Sequence, residues 1–429
     1  MIIIKTNLCS FAKIVFAALI LGYAVPAYSQ VSGCNDSLAN NYNPAANVND
    51  GSCMYNTTAY TPPIKVDPIN DTLLESSGLQ MAGDFLWTFN DSGHPPDIYR
   101  IDTMTNAILQ TVTLTGATNV DWEDIAFDGN YLYVGDFGNN ANGARADLKI
   151  YKFALSVIPP DYAANPVVAI PSGQIEVINF TYSNQPFPPI LSGANHTKFD
   201  CEAMIIDSGQ IHLFSKNWID VNTTHYVINS LAAGTYVADS VETLVTNYLV
   251  TAADKTAGQH IIALLGYQNS GTGKHFMHLL SGYSGGKYFN GNKRRLDLPD
   301  ATVMGQAEGL TFRNALYGYI SNEKFVRTVG PITITVLQKL RSFDISNFVT
   351  APIAVTYTFT GNGNWSDTAN WSNNNMPPAI LIPGSQIIIN PAAGGLCILN
   401  IPYTISKGII LTVREWKSFI INGNLTINQ

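Results

Sequence analysis

Three short runs place a carboxylate near the start of an otherwise apolar strand: NVDWEDIAF at 119–127, DCEAM at 200–204 and QAEGL at 306–310. Glu123, Glu202 and Glu308 are their common element. Carboxylates gathered in one low-dielectric site repel each other and persist only with compensation. A bound Ca2+ compensates with oxygen ligands alone. Protonation raises one pKa toward neutrality and then supplies a general acid or base. Hydrogen bonds to the backbone amides of a neighbouring element would instead make the glutamates structural. All three chemistries stay open at this point, and each depends on which residues the glutamates meet.

The elements that would gather them repeat. Segments 77–91, 123–136, 202–216 and 308–323 share one pattern: a short apolar strand, a tight turn, and a second apolar strand ending in a polar or charged residue. A weaker fifth copy runs over 248–267. Asp128-Gly129 and Ser208-Gly209 are hairpin turn pairs. Repeats this long, each followed by further strand-like runs, predict an all-β chain built on a five-bladed (alternatively six-bladed) β-propeller. In that geometry the innermost strands run the same way along a central channel. Their first residues converge on one mouth, and each second strand returns to the same rim. Glu123, Glu202 and Glu308 would therefore share a funnel with Asp91, Asp136, Lys216 and Glu323 around it. In the first copy Ser77 takes the glutamate slot and Glu75 stands two residues earlier on the same face. The copy near 250 has no glutamate there, so the ring is incomplete.

The motifs ESSGL at 75–79, WTFNDSG at 87–93, DWEDIAF at 121–127, GDFGNN at 135–140, CEAM at 201–204 and SNE at 321–323 span much of 65–346. Over that stretch the chain resembles a family of secreted bacterial β-propellers that is largely uncharacterised. More distantly, the acidic ring is similar to the calcium-dependent propeller hydrolases of the gluconolactonase, paraoxonase and phytase-like kinds. That resemblance implies Glu123, Glu202 and Glu308 as Ca2+ ligands, with Asn139 or Asn90 adding amide oxygens. The fourth glutamate and a clear catalytic histidine of such enzymes have no match here.

Other candidates are weaker. GYSGG at 282–286 fits the pattern of a nucleophile elbow but lacks the strand-then-helix context, so a turn is expected. His275 and His278 lie three apart on a strand and face opposite ways. His196, six residues before Glu202, is a candidate base against the plainer reading of a loop histidine. Trp87 and Trp122 are expected to pack between blades, which leaves Trp218, beside Lys216, as the stacking candidate for a ligand.

The flanks set the context. Lys5 and Lys13, an apolar run over 14–25 and Ala27-Tyr28-Ser29 predict a signal peptide over 1–29. Cys9 precedes that run, which argues against a lipid anchor, and no later segment is long and apolar enough to span a membrane. Losing the leader takes the formal charge from −8 to −10, the wrong sign for a nucleic-acid partner. Cys34 and Cys53 bracket a polar stretch without a core of its own and are expected to form a disulfide in a module over 30–56. Asp36, Asn49 and Asp50 give that module little charge for calcium, so a stapled spacer is favoured. A linker over 57–64 leads into a propeller over 65–352. Short strand-like runs over 353–429, opening on Asn364-Trp365 and Asn370-Trp371, predict a β-solenoid-like or small sandwich domain. Cys201 and Cys397, in different expected domains, are expected as buried thiols. Two function classes follow for a secreted or cell-surface protein. One is a binding or surface-assembly module for a small molecule, glycan or peptide, at the cell surface or in the extracellular matrix. The other is a calcium-dependent hydrolase of phosphoesters or lactones using the same mouth.

Overall fold

The repeats fold as hairpins because alternating side chains give each strand two buried faces, and glycines such as Gly129 and Gly209 take the positive φ (102° and 77°) that their turns require. In the computed structural model, residues 30–256, 261–350, 355–374, 376–377, 381, 384–405 and 408–427 are described. The leader expected over 1–29 and most of the turn at 255–259 lie outside them. Antiparallel pairs join Ser76–Ala82 to Phe85–Asn90, Trp122–Phe127 to Tyr131–Asp136, Cys201–Asp207 to Gln210–Ser215, Leu249–Lys255 to Ile262–Tyr267, and Gln306–Phe312 to Tyr317–Glu323. Each pair continues outward as a meander. The outermost strand of the last meander, Ile64–Val66, comes from the N-terminal side of the chain and pairs with Lys339–Asp344. The ring is thereby fastened by two distant parts of the sequence.

The five first strands lie side by side in chain order, and the last packs against the first. Apolar cores fill the space between neighbouring meanders. One, between the first two, buries Trp87 and Trp122 completely. Another, between the last and the first, joins Leu79 and Leu86 to Tyr319 and Leu340. This cyclic arrangement of radial sheets is a β-propeller, and the described residues are all-β apart from short helical turns. The outer strands Glu176–Tyr182 and Gly234–Leu244 pair in parallel and fuse two meanders into an eight-stranded sheet.

The Cys34–Cys53 disulfide is present, and Asn49 Nδ2 donates to Gly282 O at 2.9 Å. Asp36, Asn49 and Asp50 are occupied locally, their carboxylate or amide oxygens accepting from Leu38, Gly51 and Ser52 N–H. Cys201 and Cys397 are separate buried thiols. After residue 355 the pairing turns parallel: Thr356–Phe359, Gln386–Ile389 and Ile410–Val413 stack in register, as do Leu396–Leu399 with Ser418–Ile421 and Tyr403–Ile405 with Leu425–Ile427. Trp365 and Trp371 sit edge to face at 4.7 Å inside that stack.

Candidate functional site

Pairing slips near the start of every first strand. Trp122 pairs with Asp136 but Asp124 with Gly135; Cys201 pairs with Ser215 but Ala203 with Phe214; Val250 pairs with Gly266 but Ala252 with Leu265; Ala307 pairs with Asn322 but Gly309 with Ser321. The residues left over are Glu123, Glu202, Thr251 and Glu308, while in the first strand the slip spans Ser77 and Gly78. A bulge of this kind leaves one residue unpaired and re-aims its side chain. Two of these slots close the ring: Ser77 Oγ donates to Glu123 O at 2.8 Å, and Thr251 Oγ1 to Ala307 O at 2.9 Å. The other three carry the buried glutamates.

Their surroundings differ. Ligating atoms of Asp91, Asp121 and Glu123 lie within 4.8 Å of one another, and so do those of Glu123, Asp200 and Glu202. These acidic clusters can hold a metal ion, and Glu123 belongs to both. Asp121 and Asp200 were not singled out from the sequence. Each precedes its glutamate by two residues, a spacing that puts both carboxylates on one face of a strand and was there to be read. Glu308 stands apart from both clusters. Its Oε1 accepts from Gln306 Nε2 at 2.7 Å, and its buried Oε2 has no hydrogen-bond partner.

Lys216 takes the place between Glu202 and Glu308 where a shared ion had been expected. Its ammonium donates to Glu202 Oε2 at 2.5 Å and lies 5.0 Å from the Trp218 ring and 5.3 Å from that of Tyr267, a residue the sequence did not flag. Burial disfavours the charged lysine, but Glu202 and Glu308 outweigh it and hold the ammonium protonated. Trp218 is a clamp more than an open platform: its indole N–H donates to Asp200 Oδ2 at 2.7 Å.

Across the mouth, among the described residues, no cation stands beside Glu123 and no hydrogen-bond donor meets its carboxylate. Burial pushes its pKa well up, and Glu202, Asp91, Asp121 and Asp200 push it further. Asp121 is raised to about 7 by burial, then by Asp91 and Asp200, with Arg145 opposing. Asp91 is raised to about 6, chiefly by burial. Glu323 is raised by burial and by Glu308 and Asp91. The GDFGNN loop seals this side. A Cβ on Gly138 would lie 2.2 Å from Glu123 Oε1 and 2.5 Å from Asp121 Oδ2, so only glycine lets the backbone pass so close.

The remaining candidates hold the loops. Asp136 Oδ1 accepts from Arg145 Nη2 at 2.8 Å and from Asp121 N–H at 3.1 Å. Asn139 reaches the cluster through its backbone N–H, 2.6 Å from Asp200 Oδ1, while its amide oxygen accepts from Arg145 N–H. Glu75 is exposed and paired with His94 at 2.7 Å. His196 is exposed in its loop. His275 and His278 have unrelated partners, Ala307 N–H and Tyr248 Oη. Gly282, Gly285 and Gly286 all take positive φ in a tight turn around Ser284.

No family model matches the sequence, and no curated protein matches it either. Among solved structures, the chain is similar to the PQQ-bound aldose sugar dehydrogenase of Streptomyces coelicolor at 12% identity and a TM-score of 0.35, covering 66% of this chain and 100% of that one. It is similar to an exo-β-1,3-galactanase of Phanerochaete chrysosporium at 12% identity and 0.38, covering 68% and 67%. The periplasmic gluconolactonase of Pseudomonas aeruginosa stands at 11% and 0.29, covering 65% and 68%. Likenesses this loose say nothing about the chemistry of this chain.

Proposed function

We propose that this is an exported protein whose five-bladed propeller holds a divalent cation, Ca2+ by the hardness of its oxygen ligands, in the acidic mouth. The mouth serves as a binding or surface-assembly module for a small molecule, glycan or peptide. One observation carries the reading: Glu123 is buried among four other carboxylates, and no donor or cation among the described residues stands beside its carboxylate. Burying a charge that way is expensive unless it is paired or metal-bound. Asp91, Asp121, Glu123, Asp200 and Glu202 supply the oxygens, while Lys216 neutralises the Glu202–Glu308 side. Each meander counts as one blade, the disulfide module covers 30–56, and the parallel stack after 353 is a short solenoid. Export rests on the leader pattern over 1–29 together with the disulfide, and kinship with the secreted propeller family rests on the sequence motifs.

A second reading keeps the mouth catalytic. Asp121, raised to about 7, has the proton affinity of a general acid or base at neutral pH, as a calcium-dependent hydrolase of lactones or phosphoesters would need. Calcium titration followed by thermal melting, then a lactone and phosphoester screen, separates these readings. At one hundred times Kd a ligand of the native state adds about 2.7 kcal/mol. A melting temperature indifferent to millimolar Ca2+ would sink the metal site in both.

A further inference from the structure

Beside the acidic mouth lies a cavity of about 300 Å3, within the range of small-ligand pockets. Its walls are the loop after Tyr267 in the fourth meander and a hairpin, Phe325–Val329 with Ile332–Val336, set between two strands of the fifth. Tyr267 and Gln306 are the partition: one lies near Lys216, the other bonds Glu308, and both line the cavity. Beyond them the lining changes character. No carboxylate among the described residues contributes to it; Gln268, Asn269 and Ser270 offer amides and a hydroxyl, and Tyr267 and Phe325 offer ring faces.

Two groups in this lining keep unused hydrogen-bonding capacity among the described residues, one buried and one exposed. His275 is 1% exposed, and its Nε2 accepts Ala307 N–H at 3.2 Å. Burial lowers its pKa to about 4, so the ring is neutral and, with Nε2 accepting, the proton sits on Nδ1. The carbonyls of Pro299 and Gly273 are close enough to favour the imidazolium, yet neither meets Nδ1 with hydrogen-bond geometry. A buried donor left without an acceptor is unfavourable, and a ligand oxygen that accepts from it removes the penalty. Arg327 is the second group. Its Nη1 donates to Gly271 O at 2.7 Å across the cavity, and among the described residues no carboxylate pairs with it. An anchored guanidinium with spare N–H groups fits a planar carboxylate.

We infer that this cavity binds a carbohydrate bearing a carboxylate, a uronic-acid-type sugar. The acid lies on Arg327, the hydroxyls meet Gln268, Asn269 and Ser270, and a ring face lies against Tyr267 or Phe325. The inference rests on the mouth face being the binding face and requires no cation. Isothermal titration of the full chain, in chelator and in calcium, with galacturonate and glucuronate oligosaccharides, their neutral counterparts and an acidic dipeptide, tests it. The acidic sugars should bind at least ten-fold more tightly than the neutral ones. Arg327→Gln should abolish that preference, and Ser270→Tyr, at an exposed position in the cavity lining, should weaken all sugar binding. Flat titrations with both acidic sugars, equal binding of the dipeptide, or binding unchanged in both variants would overturn it. Sugar binding in chelator by a protein whose melting ignores calcium would leave this inference standing and remove the metal reading. A calcium response with flat sugar titrations would do the reverse.

Discussion

Glu123 and Asp124 are neighbours with opposite duties, because successive side chains of a strand point to opposite faces. Asp124 is buried against the next blade, where its carboxylate accepts Met204 N–H at 2.7 Å and Ile125 N–H at 2.9 Å. The Glu123 carboxylate accepts from no donor among the described residues, and only its backbone carbonyl is bonded, to Ser77. The Asp124→Ala variant should therefore lose about 1–3 kcal/mol equally in chelator and in calcium. Glu123→Gln should melt at or above the wild type in chelator and lose the calcium shift. Paired melting curves in the two buffers check both, and a Glu123→Gln variant that keeps the full calcium response would refute the role given to this residue. Glu202 is less suited to that test than its place in the ring suggests, since its partner is Lys216. Lys216→Met strands Glu202 and Glu308 together and should cost about 3–5 kcal/mol, the usual penalty for leaving buried charge unpaired. Chemical denaturation in chelator measures it directly.

At the scale of the element, the bulged first strand is the device that sorts these duties. One extra residue per strand sits at the mouth end, and its chemistry decides whether the slot fastens the ring or serves the mouth. Thr251→Val removes the hydroxyl bond to Ala307 O and should cost about 1 kcal/mol with the calcium shift intact. Gly138→Ala should do the opposite. Its methyl group has no room beside Glu123 Oε1 and Asp121 Oδ2, so it must push apart the oxygens that a cation would bridge. The calcium shift should shrink more than the chelator melting temperature falls. If Thr251→Val abolished the calcium response and Gly138→Ala left it whole, the division of slots drawn above would be wrong.

At the scale of the molecule, the ring concentrates carboxylates that are spread through the chain, and the pH dependence of stability follows. Asp91 and Asp121 rise from their ordinary 3.8 to about 6 and about 7, so the metal-free native state binds protons more tightly than the unfolded chain. Their contribution to stability is full below about pH 4 and is lost as pH rises through about 6 and then about 7. Cation binding has the reverse sign, since the same oxygens must first lose their protons. Melting in chelator should therefore move downward between pH 5 and pH 8, while the increment produced by calcium grows over the same range. A calcium increment that is largest at pH 5 would contradict the cluster as a cation site.

The sequence by itself determined what local pattern controls. Alternating runs with Gly-containing turns marked the hairpins, their recurrence marked a propeller, and the polar stretch between Cys34 and Cys53 called for the disulfide that is present. The convergence of Glu123 and Glu202 was also legible, because strand direction in a repeat fixes which ends meet. Only the tertiary structure decided the partners. A one-residue slip in pairing is invisible in a hydrophobic pattern, yet it sets the direction of Glu123, Glu202, Thr251 and Glu308. Lys216 was named as a rim residue, but its position between two glutamates depends on packing against the nearby Trp218 and against Tyr267 from the next meander. That ammonium divides the mouth into a neutralised half and an uncompensated one. Hydrophobic periodicity specifies which face a residue takes, whereas charge compensation depends on distances of a few ångströms between strands far apart in sequence, which only the closed ring fixes.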